Sequence, residues 1–154
     1  MTHGHLTPLD EAECRHLLAS TSAGRLAWSE GEEVLILPVA HAVHGQDLLV
    51  RTEPGTPLAA LRPGVPVAFE VDDLDAATRT GWDVVVRGTV SRTRTCSTAE
   101  EAVEAGAPER VWAPGDRRHV ITITMTSLSG RAVSSDEPGP TPRGPAGKED
   151  DHVR

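Results

Sequence analysis

The chain has 154 residues, the length of one domain, and its 38% hydrophobic and 25% charged residues are typical of a soluble globular protein. Its net charge of -8 has the wrong sign for binding a phosphate backbone, and aromatic residues, at 3%, are too scarce for base stacking. We therefore expect no nucleic-acid partner.

The amino terminus and the cysteines indicate a cellular compartment. No apolar run approaches the ~20 residues that a membrane-spanning helix needs, and the first residues, MTHGHLTPLDEAE, lack the hydrophobic region of a signal peptide. Cys14 and Cys96 form no CxxC pair and are predicted to be free thiols. These features predict a cytoplasmic protein that does not associate with membranes.

Three segments are expected along the chain. Residues 1–8 are predicted to be a flexible leader, 9–133 the folded domain, and 134–154 a disordered tail rich in proline, glycine and acidic residues. The domain is expected to open with a helix, because Thr7 and Asp10 form a capping-box-like pair around Pro8 at the first helical position. A further helix is predicted over 97–105, with Ser97 as its N-cap, and one or two helical turns over 57–61.

The rest of the domain is predicted to be β-structure. Six apolar or alternating runs are separated by turn residues, and they cover 25–29, 34–43, 48–52, 65–71, 82–93 and 119–125. Hairpin-length connections and the lack of full βαβ units favour an antiparallel sheet closed into a small barrel, with helices at its mouth. Pro38 indicates an edge position or a kink, since proline donates no ladder hydrogen bond.

Several of these strands carry consecutive rather than alternating apolar residues. Such a pattern indicates that both faces of the sheet are covered. One face is the barrel interior, and outward-facing residues such as Val39, Leu49 and Val85 are expected to pack against a second subunit. The sequence therefore predicts a homodimer.

Familiar catalytic and metal-binding motifs are absent. There is no GxSxG, HExxH, P-loop or GxGxxG sequence. His41 and His44 lie three apart in a strand and point to opposite faces, and the acidic residues at 72, 73 and 75 have the spacing of a turn rather than of a calcium loop. We predict neither a nucleophilic triad nor a metal site.

The stretch LLVRTEPGTPLAAL brings together groups that bind anions. Arg51 and Thr52 end a strand, and Gly55 and Thr56 open a helical turn whose first amides are unpaired. A guanidinium at this place can contact a phosphate through two hydrogen bonds. The chemistry alone is compatible with a phosphate site or with an ordinary capped turn beside a solvated arginine.

An ordered set of segments resembles a known family. The segments GRLAW, LPVAHAV, LLVRTEPGTPLAAL, VPVAFEVDDLD, GWDVVVRGTV and VWAPGDRRHVITI occur in this order and spacing. Together they resemble the pyridoxamine 5'-phosphate oxidase-like proteins, an FMN-binding split-barrel family, in its small actinobacterial branch. The resemblance covers about 9–133. It implies a six-stranded antiparallel split barrel, a homodimer, and FMN held at the dimer interface.

The resemblance also implies which residues contact the cofactor. These would be Pro38, Val39, Ala40 and His41 beside the isoalloxazine ring, Arg51 and Thr52 along the ribityl-phosphate arm, Gly55 and Thr56 at the phosphate, Trp82 and Asp83 from across the interface, and Trp112 in a loop over the cofactor. His41 is the one candidate for a general acid or base.

The chain departs from the family pattern at three places. Pro57 stands where the family places a lysine after the threonine, and Asp83 stands where a neutral residue is common. Losing a cation that pairs with a phosphate removes on the order of 1–3 kcal/mol of binding free energy. The Arg-Leu-His segment that holds the substrate phosphate in the true oxidases is missing after the last strand, which argues against pyridoxamine-phosphate oxidation.

These observations lead to one hypothesis and two alternatives. The first is an FMN-dependent oxidoreductase acting on a small molecule, with the catalytic residues unassigned. The alternatives are a reductase that binds the deazaflavin F420, and a non-catalytic split barrel that binds a flavin or haem.

Overall fold

The computed structural model describes residues 4–135 of the chain. It contains seven strands and two short helices. In chain order they are β1 (His5–Leu9), α1 (Glu11–Ser20), β2 (Ala23–Glu30), β3 (Glu33–His44), β4 (Asp47–Thr52), β5 (Pro66–Asp75), β6 (Thr80–Thr95), α2 (Ala99–Glu104) and β7 (His119–Ser134). Neither helix of this part of the chain is long and apolar enough to cross a membrane.

Six of the strands close into a ring in which all neighbours are antiparallel. The order around the ring is β7, β4, β3, β2, β5 and β6, and β6 pairs again with β7. Strand β7 is long enough to pair with β4 along its first half and with β1 along its second half. The predicted six-stranded antiparallel split barrel is confirmed, with β1 as an added strand that the sequence analysis did not predict.

The interior of the ring is filled by the apolar residues that alternate along each strand. Leu26 and Phe69 are in register on β2 and β5, and Ile121 and Ile123 lie on β7; all four are fully or almost fully buried. Full burial of such a side chain contributes about 1.5–3 kcal/mol. The core therefore holds the ring of strands together and fixes where its edges lie.

The amino-terminal segment differs from the prediction. Residues 5–9, most of which were assigned to a flexible leader, form β1 against β7, and Pro8 lies in this edge strand rather than at the first helical position. The helix begins later, at Glu11, because Asp10 accepts a hydrogen bond from Glu13 N–H at 2.8 Å and Glu13 accepts one from Asp10 N–H at 2.8 Å. This reciprocal capping box fixes the start of α1.

Other boundaries also shift. Strand β7 runs nine residues beyond the predicted end at 125, to Ser134, and the predicted disordered tail otherwise lies almost wholly outside the described residues. Helix α2 is capped by Thr98, whose hydroxyl accepts from Glu101 N–H at 3.1 Å, and not by Ser97. The predicted turn at 57–61 is a single turn in which Ala60 N–H donates to Thr56 O.

The outer face of the sheet is covered partly by the chain itself. Leu49 and Val120 form a second apolar cluster with Cys96, Ala102 of α2 and Ala107. The expectation that Leu49 needs a second subunit is therefore wrong, because α2 and the residues after it cover it. Val39 belongs to the main core, and Val85 is half-buried.

One part of the outer face stays open. Val34 and Ile36 on β3 are 77% and 64% exposed. Cys14 and Cys96 are both buried and unbonded, in agreement with the prediction of free thiols.

Candidate functional site

A groove opens where β3 and β4 diverge. Strand β3 pairs with β2 over 33–40 but with β4 only over 41–44, and the last pair between β3 and β4 is His41 with Val50. Beyond it, β4 continues along β7 through Arg51 and Thr52. The space between the two strand edges is a groove of about 300 Å³, here called the β3–β4 groove.

The groove combines an apolar wall with a polar end. It is lined by Leu37, Pro38, Val39, Ala40, Arg51, Thr52, Glu53, Thr56, Pro57, Leu58, Val111, Trp112, Ala113 and Arg117. Seven of the predicted cofactor-binding residues therefore meet in one place: Pro38, Val39, Ala40, Arg51, Thr52, Thr56 and Trp112.

The apolar wall follows from the open edge of β3. Pro38 pairs with Arg25 of β2, in the part of β3 that has no second neighbour. A proline suits such an edge because it offers no N–H that would be left unpaired. The opposite wall is the loop between α2 and β7 (residues 105–118, the α2–β7 loop), where Trp112 lines the groove and is 63% exposed. Pro38 and Trp112 therefore both contribute apolar surface to the groove.

Arg51 is directed into the protein and not toward a free ligand position. Only 7% of the residue is exposed. Its Nε donates to Pro108 O at 2.8 Å, Nη2 to Glu109 O at 2.8 Å and Nη1 to Arg117 O at 3.4 Å. Burial lowers the pKa of Arg51 from its ordinary value, and the positive charge of Arg117 lowers it further. The main effect of this guanidinium is to fasten the α2–β7 loop to β4.

The two threonines of the groove are hydrogen-bonded to each other. The Thr56 hydroxyl donates to Glu53 O at 2.9 Å and accepts from Ala59 N–H at 3.2 Å. Since its proton is used, the Thr52 hydroxyl is the donor of the 3.2 Å bond between Thr52 Oγ1 and Thr56 Oγ1. Both hydroxyl protons therefore stabilise the turn after β4. Gly55, at φ 84, provides the left-handed backbone of that turn.

Two further charged side chains line the groove. Glu53 Oε1 accepts a hydrogen bond from Asp116 N–H at 2.9 Å, which joins the end of β4 to the α2–β7 loop a second time. Arg117 donates from Nε to Ala113 O at 2.9 Å and from Nη2 to Pro114 O at 3.3 Å. The ionisable side chains of the lining are thus two guanidiniums and one carboxylate.

His41 does not line the groove. It is buried on the core side of β3, where its Nε2 donates to Leu18 O at 2.9 Å and its ring packs edge-on against Phe69 at 4.9 Å between centroids. Its Nδ1 is buried without a hydrogen-bond partner. Burial lowers the pKa of His41, although the bond to Leu18 O opposes this. The predicted contact of His41 with a cofactor, and its role as acid or base, are not supported within this chain.

Three other predicted residues lie outside the groove. Gly55 borders a neighbouring cavity with His119 and Thr95. Trp82 and Asp83 lie at the start of β6, paired with the far end of β7, and the Asp83 carboxylate binds Arg131 at 2.7 Å. Within one chain these residues do not meet the groove, so their contact with a cofactor stays a prediction that requires a second subunit.

The sequence analysis missed Leu37, Glu53, Val111 and Arg117 as groove residues. Leu37 lies inside the strand predicted over 34–43, directly before the predicted site residue Pro38, so its place next to the site was available from the sequence. The side of the groove formed by the α2–β7 loop could not be predicted. Hydrogen bonds from Arg51 place this loop, and their acceptors lie between 57 and 66 positions further along the sequence.

The fold and the groove define the class of protein: a split barrel with a ligand groove at an open strand edge. The family model described as pyridoxamine 5'-phosphate oxidase matches residues 10–132. The chain therefore belongs to the pyridoxamine 5'-phosphate oxidase-like family.

Three individual proteins are similar to this chain. The chain is 41% identical over 85 residues to the uncharacterized protein Rv0080 of Mycobacterium tuberculosis, an alignment that covers 52% of this chain and 56% of that protein. The FAD binding protein from Mycobacterium smegmatis matches at 28% identity with a TM-score of 0.61, over 83% of this chain and 98% of that one. An F420 reductase matches at 19% identity with a TM-score of 0.54, over 74% and 94% of the two chains, and shows the fold alone.

Proposed function

We propose that the protein binds a flavin nucleotide, in the first instance FMN, in the β3–β4 groove and acts as a flavin-dependent oxidoreductase on a small molecule. The observation that carries this proposal is the meeting of an apolar wall and the guanidinium of Arg117 in one groove of a split barrel. The structural relative at 28% identity is described as a FAD binding protein, which supports a flavin as the ligand.

The residues of the groove fit the two parts of such a ligand. Pro38, Val39 and Ala40 on one side and Trp112 on the other offer apolar surface to a flat ring. The guanidinium of Arg117, at the polar end, matches an anionic arm. The volume of about 300 Å³ lies at the lower end of the roughly 300–1,000 Å³ of small-molecule sites, so one chain encloses only part of a flavin.

The incomplete enclosure supports a homodimer as part of the proposal. Val34 and Ile36 form an apolar surface on β3, and Ala27, which is in register with Ile36, extends it onto β2. An exposed apolar surface of this kind is typical of an interaction site. In the proposed dimer, a second copy covers it and brings its own Trp82 and Asp83 to the groove.

The lining residues of the groove give this chain only a limited role in the chemistry. A bound flavin supplies the hydride or electron transfer. Among the described residues the lining contains no histidine or lysine, and its one carboxylate, Glu53, already accepts a hydrogen bond from Asp116 N–H. The chain therefore contributes binding and orientation of the ring, and exclusion of water by the apolar wall.

Absorbance of the purified full-length protein and a fluorescence titration with FMN test the proposal. A yellow protein, or quenching of FMN fluorescence that saturates with one FMN per subunit, is expected. The matched variants are Ala40→Trp, which fills the groove and is expected to abolish binding, and Ala12→Trp, a control that adds the same bulk at an exposed position of α1 outside the groove. A protein that binds F420 but not FMN would replace FMN by the deazaflavin, and a protein that binds neither would contradict the proposal.

A further inference from the structure

The side chains that the sequence suggests as donors at the polar end of the β3–β4 groove form most of their hydrogen bonds within the protein. The three nitrogens of Arg51 donate to backbone carbonyls, and the hydroxyl protons of Thr52 and Thr56 are used within the turn. Pro57, which follows them, has neither an N–H nor a charge. Two of the five N–H groups of the Arg51 guanidinium remain, but the residue is only 7% exposed, so an anionic group at this end needs a second charged partner.

Arg117 is placed to be that partner. It lines the same groove as Pro57, Thr52 and Glu53. Its Nε and Nη2 hold the turn at Ala113 and Pro114, so the guanidinium is fixed by its own loop. A fixed, planar guanidinium binds a phosphate with less loss of side-chain entropy than a lysine does.

The charges of the groove favour an anion there. Among the described residues neither Arg51 nor Arg117 forms an ion pair with a carboxylate; the ion pairs of this part of the chain involve Arg15, Arg25, Arg94, Arg118 and Arg131. Glu53 is the one carboxylate in the lining, and it is bonded to the Asp116 amide. The carboxylate of Glu100 offsets part of the repulsion that Arg117 exerts on Arg51, and a doubly charged ligand group relieves the remainder.

We propose that Arg117 binds the anionic arm of the groove's ligand and that Arg51 is a positioning residue, which holds Arg117 in place through the backbone of the α2–β7 loop. The proposal rests on the flavin binding proposed above and adds the residue that recognises the phosphate. It moves that role from Arg51, where the sequence pattern suggested it, to a loop 66 residues further along the chain.

FMN and riboflavin together test the role of Arg117, because they differ only in the phosphate. Titrations of the full-length protein are expected to show that Arg117→Ala weakens FMN binding about tenfold more than riboflavin binding; the smaller loss of riboflavin binding reports the released turn at Ala113 and Pro114. Arg117→Lys is expected to retain part of the preference for FMN. Arg110→Ala, an exposed arginine of the same loop outside the groove, is the matched control and is expected to change neither.

The role of Arg51 is tested by a double-mutant cycle. Arg51→Ala is expected to weaken the binding of both flavins, because the loop that carries Trp112 is released. It is also expected to lower the ratio of FMN affinity to riboflavin affinity. In the Arg117→Ala background, Arg51→Ala is expected to leave the ratio of FMN to riboflavin affinity unchanged. A further fall of the ratio in that background would show that Arg51 contacts the phosphate itself and would overturn its positioning role.

The titrations distinguish a failure of the Arg117 assignment from a failure of the proposed flavin binding. Unchanged FMN affinity in Arg117→Ala, or equal weakening of FMN and riboflavin, would overturn the assignment of Arg117 while leaving flavin binding intact. A wild-type protein that binds neither flavin would overturn the proposed function and this inference together. Thermal unfolding of each variant without ligand checks that the fold is retained.

Discussion

The buried position of His41 predicts how the free energy of unfolding depends on pH. The imidazole is 5% exposed, and its neutral form donates from Nε2 to Leu18 O. Protonation would add a second N–H at Nδ1, which has no acceptor among the described residues. The charged form is therefore disfavoured in the folded state, in agreement with a pKa lowered by burial.

The sign and size of the effect follow from this shift. In the unfolded chain His41 binds a proton near pH 6.5, and in the folded chain it binds one only at lower pH. The contribution of His41 to the free energy of unfolding is therefore fully present above about pH 6.5 and falls as the pH is lowered. Between pH 7.5 and 5.5 the loss that comes from this one histidine is at most about 1.4 kcal/mol. His119, also buried and with a lowered pKa, contributes in the same direction.

Urea unfolding of the wild type and of His41→Gln at pH 7.5 and 5.5 isolates this contribution. Glutamine offers an N–H toward Leu18 O and does not titrate, so the free energy of unfolding of the variant is expected to fall less than that of the wild type, by a difference of at most about 1.4 kcal/mol. Glu70, whose pKa is raised to about 7 by burial and by Asp72, acts with the opposite sign, but it is present in both proteins. An equal fall in both proteins would refute the reasoning.

Three further predictions concern the groove, the wall of the loop and the second cluster. Pro57→Lys is expected to tighten FMN binding about tenfold without changing riboflavin binding; an unchanged FMN titration would show that position 57 does not face the phosphate. Trp112→Ala is expected to weaken FMN and riboflavin by a similar factor, since it removes one wall of the groove; a selective loss of FMN would contradict this. Leu49→Ala is expected to lower the free energy of unfolding by about 2–4 kcal/mol, measured by urea unfolding, because Leu49 is 5% exposed beneath α2; a change below about 1 kcal/mol would mean that α2 does not cover it.

Most of the fold was predictable because the strands repeat a simple pattern. Apolar alternation and turn residues located the six strands of the ring, and hairpin-length connections indicated that neighbours are antiparallel. The segment of β1, HLTPL, was missed because it is short, contains Pro8 and is stabilised by pairing with β7, more than 120 residues away. A pairing between segments so far apart cannot be predicted from the local sequence of either one.

The candidate site was predictable on one side of the groove only. The strand residues 38–40 and 51–52 line the groove as the sequence indicated, because both segments belong to the two strands that the hairpin pattern located. His41 lies on the predicted strand, but its side chain contacts Leu18 O and Phe69 in the core and does not line the groove. Arg117 was missed because its position depends on the hydrogen bonds of Arg51 to a loop without regular structure.

A crystal structure of the full-length protein grown with FMN tests the central claim most directly. The account predicts a homodimer in which the flavin ring lies between residues 37–40 of β3 and Trp112, with its phosphate at Arg117 and the partner subunit's Trp82 at the same groove. A flavin bound elsewhere on the barrel, or a groove filled by the chain's own side chains with FMN absent at saturating concentration, would contradict it.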